Sequence, residues 1–62
     1  MKGFYDLVVA ALREHGFVYW KQGKGSHEKW RKGEIRVLVP FNCESRHTAN
    51  AVMKAAGIDK HF

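Results

Sequence analysis

Gly25-Ser26-His27, followed by Glu28, Lys29 and Trp30, places one imidazole inside the most basic stretch of a 62-residue chain. Between Lys21 and Arg36 lie Lys21, Lys24, Lys29, Arg31, Lys32 and Arg36, opposed only by Glu28 and Glu34. A histidine takes and gives a proton near neutral pH, and neighbouring lysines and arginines can hold a phosphodiester. These residue types together point to chemistry on RNA. Metal-free cleavage needs a base for the ribose 2′-OH, cations for the charge developing on phosphate, and an acid for the departing 5′-oxygen. His27 suits the base, or alternation between base and acid, although a lone histidine on a strand is more often a surface or hydrogen-bonded structural residue. Lys29, Arg31 and Arg36 suit the phosphate, the arginines through bidentate contacts. Lys24, in a glycine-rich turn, is expected to reach the same phosphate. One histidine covers only part of this cycle, and the sequence names no second acid or base.

The remaining chemistry-bearing residues argue for less. Cys43 is the only cysteine, so no intrachain disulfide can form, and no spacing ties it to a histidine base. His15 is expected at a helix end, where an imidazolium suits the dipole. His47 falls in the first turn of a second helix and His61 in a terminus; together these side chains show no metal-ligand spacing. No cofactor motif is present. The lone thiol suits a reducing compartment, and no apolar run of membrane length or secretory pattern appears, so a soluble cytoplasmic protein is expected. Eleven Lys and Arg against six Asp and Glu give a net charge of +5, which favours a polyanionic partner, although surplus lysine also serves solubility.

Positioning these groups falls to a single domain, residues 1–62. Phe4, Leu7, Val8, Ala11 and Leu12 repeat at helical spacing, with Asp6 early, Arg13 late and Gly16 as a stop, which predicts a helix from about Gly3 to His15. Phe17-Val18-Tyr19-Trp20 predicts a first strand. Gln22-Gly23-Lys24-Gly25 is a turn, and Ser26 to Arg31 returns as a second strand. A turn at Lys32-Gly33 sets Lys29 opposite Arg36, His27 opposite Leu38 and Trp30 opposite Ile35. Alternation then puts Trp30, Ile35, Val37 and Val39 on the face that receives the helices. His27, Lys29, Arg31, Glu34, Arg36 and Leu38 fall on the other face. Tyr19 and Trp20 point to opposite faces, so one of them is available to stack on an unpaired base, or to pack against helix edges or a protein partner. Pro40 ends the third strand, Ser45 caps a second helix carrying Ala49, Val52, Met53 and Ala56, and Gly57 stops it before Ile58. The expected class is α+β, in the order αβββα: a three-stranded antiparallel sheet with both helices on one face.

An αβββα chain of this length with Gly-Ser-His opening its second strand resembles the HicA family of bacterial toxins, and with them the double-stranded RNA-binding-domain fold. The resemblance rests on Met1-Lys2-Gly3, His15-Gly16-Phe17, Gly25-Ser26-His27-Glu28-Lys29-Trp30, Val37-Leu38-Val39-Pro40 and Lys54-Ala55-Ala56-Gly57-Ile58. It implies a metal-independent ribonuclease that cleaves messenger RNA in the bacterial cytoplasm and is neutralised by a HicB-type antitoxin. On this resemblance His27 matches the family's catalytic histidine, with Gly25, Ser26 and Trp30 as supporting motif residues. After Pro40 the chain has Phe41-Asn42, where many family members carry a histidine. Two other readings stay open: an RNA-binding domain that uses the same basic face without cutting, and an interaction protein whose basic face meets only an acidic partner. Self-association is left open.

Overall fold

A computed structural model describes residues 3–62, so Met1 and Lys2 of the opening motif lie outside the described residues. The elements are α1 (Tyr5–Glu14), β1 (Val18–Gln22), β2 (His27–Lys32), β3 (Ile35–Pro40) and α2 (Arg46–Ala56). The strands form one antiparallel sheet in the order β1-β2-β3. This αβββα arrangement is consistent with a double-stranded RNA-binding-domain-like fold.

The helical repeats become the two sides of one core. Val8, Ala11 and Leu12 of α1 and Ala49, Val52, Met53 and Ala56 of α2 bury with Trp30, Val37 and Val39 of the sheet. Full burial of one such aliphatic side chain stabilises the fold by roughly 1.5–3 kcal/mol. Leu7 does not join them. It lies outside the narrow stripe set by Val8, Ala11 and Leu12 and is 52% exposed. Phe17 is buried but precedes β1, within which no residue is fully buried. Cys43 is buried in the same core, and desolvation raises its thiol pKa, which makes it a packing residue and a poor nucleophile.

Both helices end on the same device. Phe17 N–H donates to the Leu12 carbonyl (2.9 Å) and Gly16 N–H to that of Arg13 (3.1 Å). In α2, Ile58 N–H donates to Met53 (2.9 Å) and Gly57 N–H to Lys54 (3.1 Å). Each pair closes the last turn around a left-handed glycine and returns an apolar residue to the core. Their starts differ. Ser45 Oγ accepts from His47 N–H (3.1 Å) at α2, whereas α1 has no side-chain cap and is held at its entry by Phe4 N–H donating to the Cys43 carbonyl (2.6 Å).

The β2–β3 turn departs from the expected one. Lys32 faces Ile35, so the connecting residues are Gly33-Glu34, and the pairs are Arg31 with Arg36, Trp30 with Val37, Lys29 with Leu38, and His27 with Pro40. Gly33 has φ +59° while Glu34 has no positive φ, which is the pattern of a type II′ turn with glycine first. The partners therefore slide by two residues, and a slide of two preserves the alternation of faces. Two side chains change role. Ile35, at the hairpin end, is 45% exposed instead of joining the core, and Glu34 leaves the ladder for the turn.

Candidate functional site

With both helices on one face, the other face is a small grid of side chains. One cross-strand row holds Val18, Arg31 and Arg36; the next holds Lys21, Lys29 and Leu38; the third holds His27 and Pro40. Arg31 faces Arg36 and Lys21 faces Lys29, although like charges directly opposite destabilise a sheet. A surface built for stability alone would alternate signs at these positions.

A bulge in β1 explains how the cations are held. Tyr19 pairs with Trp30 and Lys21 with Lys29, which leaves Trp20 as an extra residue between them. A bulge sets two consecutive residues against one partner and re-aims the strand. Tyr19 lies edge-on to Trp30 at the covered face, with ring centroids 6.0 Å apart, while Trp20 joins Lys21 over the open face. The Trp20 ring centroid lies 4.6 Å from Lys21 Nζ, 5.0 Å from Arg31 Cζ, 5.0 Å from Arg36 Cζ and 5.8 Å from Lys29 Nζ. All four fall within the range of a cation–π attraction, worth about 0.5–1 kcal/mol at an exposed site. Lys29, Arg31 and Arg36 are thus brought together as the alternation predicts. Trp20's central place and Lys21's membership were not foreseen. The available signal was the failure of Val18-Tyr19-Trp20-Lys21 to alternate, which is what a bulged strand looks like in sequence.

His27 opens β2 and is exposed. Its backbone is fixed on both sides: its N–H donates to the Lys24 carbonyl (3.3 Å), and its own carbonyl accepts from Gly23 N–H (2.8 Å) and Gln22 Nε2 (3.1 Å). Gln22 Nε2 also reaches the Gly25 carbonyl (3.2 Å), so one amide braces the whole turn. Gly25 takes φ +65° there, and the Ser26 carbonyl accepts from Phe41 N–H (2.6 Å), pinning the end of β3 beside the start of β2. The imidazole itself makes no hydrogen bond to a described residue. It lines a shallow depression with Arg36, Leu38 and Pro40 that wraps the β3 edge toward Thr48 and Ala51 of α2. The adjoining depression is lined by Trp20, Lys29, Arg36 and Leu38, so Arg36 and Leu38 border both. Lys24 is exposed in the turn and is tied to His27 through backbone.

Glu28, the next residue after His27, points the other way. Its Oε1 accepts from Tyr5 Oη (2.7 Å) and Trp30 Nε1 (3.2 Å), joining α1 to β2 directly behind the histidine. Burial, then the hydrogen bond and charge of Glu28, push the Tyr5 phenol up to about 12. Arg13 lies 5.5 Å over Trp30, which is 2% exposed and is the core residue the spacing predicts. His15 Nδ1 lies 2.9 Å from the Ala11 carbonyl at the end of α1. Among the described residues, no three His, Cys, Asp or Glu side chains are grouped to hold a metal ion, and no helix is long and apolar enough to cross a membrane.

Residues 5–58 match the family model described as "HicA toxin of bacterial toxin-antitoxin". The chain belongs to the HicA toxin family. Comparison with curated proteins and with solved structures gives no match. Membership in the HicA family makes this a toxin of the toxin–antitoxin type and implies a cognate antitoxin partner. The matched span contains the Gly-Ser-His turn, all three strands and both helices.

Proposed function

We propose that the protein is an endoribonuclease that cleaves messenger RNA by acid–base catalysis at His27 without a metal cofactor. The observation that carries this reading is the placement of the exposed His27 on the same open face as Lys29, Arg31 and Arg36, with Arg36 bordering the depression in which the imidazole lies. His27 takes the proton of a ribose 2′-OH, and the 2′-oxygen bonds to the adjacent phosphorus. The bond from phosphorus to the 5′-oxygen breaks, leaving a 2′,3′-cyclic phosphate. The resulting imidazolium returns its proton to the departing oxygen, directly or through water. Lys29, Arg31 and Arg36 neutralise the charge on phosphate, and Lys24 contacts the strand beside the turn. The toxin acts in the bacterial cytoplasm, where a HicB-type antitoxin covers this basic face.

The test is cleavage of RNA in excess chelator by the parent and by His27→Ala. We expect the variant to fold normally, since the imidazole is exposed and makes no hydrogen bond to a described residue, and to lose about 10²- to 10⁴-fold in rate. Equal cutting by both proteins would remove His27 from the mechanism. RNA binding by the parent without any cutting would make the face a binding surface only.

A further inference from the structure

Trp20 has no role in that cleavage scheme, yet it is the residue around which the basic face is organised. An indole has two faces, and a cation gains most when it sits over one of them. Here four side chains of the same sign converge on one ring at 4.6–5.8 Å. Two like-charged cross-strand pairs add mutual repulsion, and the carboxylate closest in sequence, Glu28, is turned to the opposite face by Tyr5 and Trp30. The arrangement relaxes when an anion draws the cations away, and that step uncovers the ring. Beside it, the depression shared with Lys29 and Arg36 has Leu38, 53% exposed, as an apolar wall.

We infer that Trp20 is a stacking platform for an unpaired nucleobase, capped in the free protein by Lys21, Lys29, Arg31 and Arg36. Single-stranded RNA takes the four cations onto its phosphates, and one base enters the depression between the bared indole and Leu38. Because Arg36 and Leu38 also border the depression of His27, that base lies next to the phosphate presented to the imidazole. Trp20 thereby selects unpaired strands, since bases in a duplex are stacked on each other and have no face to offer. The inference rests on RNA being the ligand of this face, and it does not depend on cleavage.

The experiment uses the full chain and 2′-O-methyl RNA oligonucleotides, which lack the hydroxyl that cleavage requires. Affinities are measured for a single strand, for the same length with abasic sites in place of bases, and for the corresponding duplex. The parent should bind the base-bearing single strand about 5- to 100-fold more tightly than the abasic one. Trp20→Ala should lose that preference while keeping the salt dependence of binding, and Trp20→Phe should retain most of it. Circular dichroism of each variant checks that the fold is kept. Equal affinity for abasic and base-bearing strands, or a preference that survives in Trp20→Ala, overturns the platform and leaves a surface for phosphate or for an acidic protein. If the parent binds no oligonucleotide even at low salt, RNA is not the ligand and the cleavage reading falls as well. If it binds with base preference but cuts no RNA, the platform stands without the enzyme.

Discussion

The two faces of this sheet obey opposite rules. On the covered face every sheet residue that meets the helices lowers the energy of the fold: Trp30, Val37 and Val39 are buried, and the one carboxylate, Glu28, receives two hydrogen bonds. On the open face the ladder sets arginine against arginine and lysine against lysine, with a tryptophan between them. The first composition is explained by folding alone. The second sets like charges directly opposite one another, which cross-strand pairing by itself disfavours. Each face also carries one tryptophan, which makes the contrast measurable.

Removing the two tryptophans should give the widest separation. Trp30→Ala leaves a cavity under both helices and should destabilise the domain by about 3–5 kcal/mol, enough to unfold much of a chain this small. Trp20→Ala should cost about 2 kcal/mol or less, since the half-buried ring gives up cation–π contacts and no place in the core. Urea titrations of the two variants check the pair; similar losses would mean that Trp20 is a core residue and that the faces are not distinct.

Tyr5→Phe probes the polar link behind His27. Loss of the phenol's hydrogen bond to Glu28 should cost about 0.5–1.5 kcal/mol at neutral pH. Because folding raises the Tyr5 pKa from 10 to about 12, the folded state favours the neutral phenol. Its contribution is therefore complete below pH 10 and is lost as pH rises toward about 12. The stability gap between parent and Tyr5→Phe should shrink over that window, and a gap that stays constant would place the hydrogen bond elsewhere.

The smallest effect has the most telling sign. Lys29 is the cation farthest from the Trp20 ring and faces Lys21. Lys29→Glu turns that like-charged pair into an opposite one and should raise stability by about 0.2–1 kcal/mol. The same change should weaken single-stranded RNA binding and flatten its dependence on log salt by about 0.7 per lost phosphate contact. Denaturation midpoints and binding at several salt concentrations would show whether one residue trades stability for ligand. A destabilised variant would mean that the cations support the sheet.

Much of this architecture was legible because it rests on local rules. Helical spacing, Ser45 at a helix start and Gly16 and Gly57 at helix ends act within a few residues of themselves, and they fixed the element order. The faces of β2 and β3 followed from alternation even though the turn was displaced. Placing glycine second in the turn instead of first shifted every pair by two, and only an odd shift would have turned His27 inward. What stayed hidden depends on distant partners. Tyr5 and Glu28 meet only after α1 lies across the sheet, Leu7 and Ile35 are apolar residues that the packed helices do not reach, and the bulge at Trp20 exists only against β2.

That bulge is also a phase change within one short strand. Val18, Tyr19 and Trp20 alternate regularly, open face, covered face, open face, and Lys21 then repeats the open face instead of returning to the covered one. Deletion of Trp20 would leave Tyr19 opposite Trp30 and Lys21 opposite Lys29 in a regular ladder, taking the ring out from among the cations while leaving Phe17 and Tyr19 in place. The length of β1 is therefore information in its own right: a chain one residue shorter could keep the same helices and core, and with them the same fold, yet present a different open face.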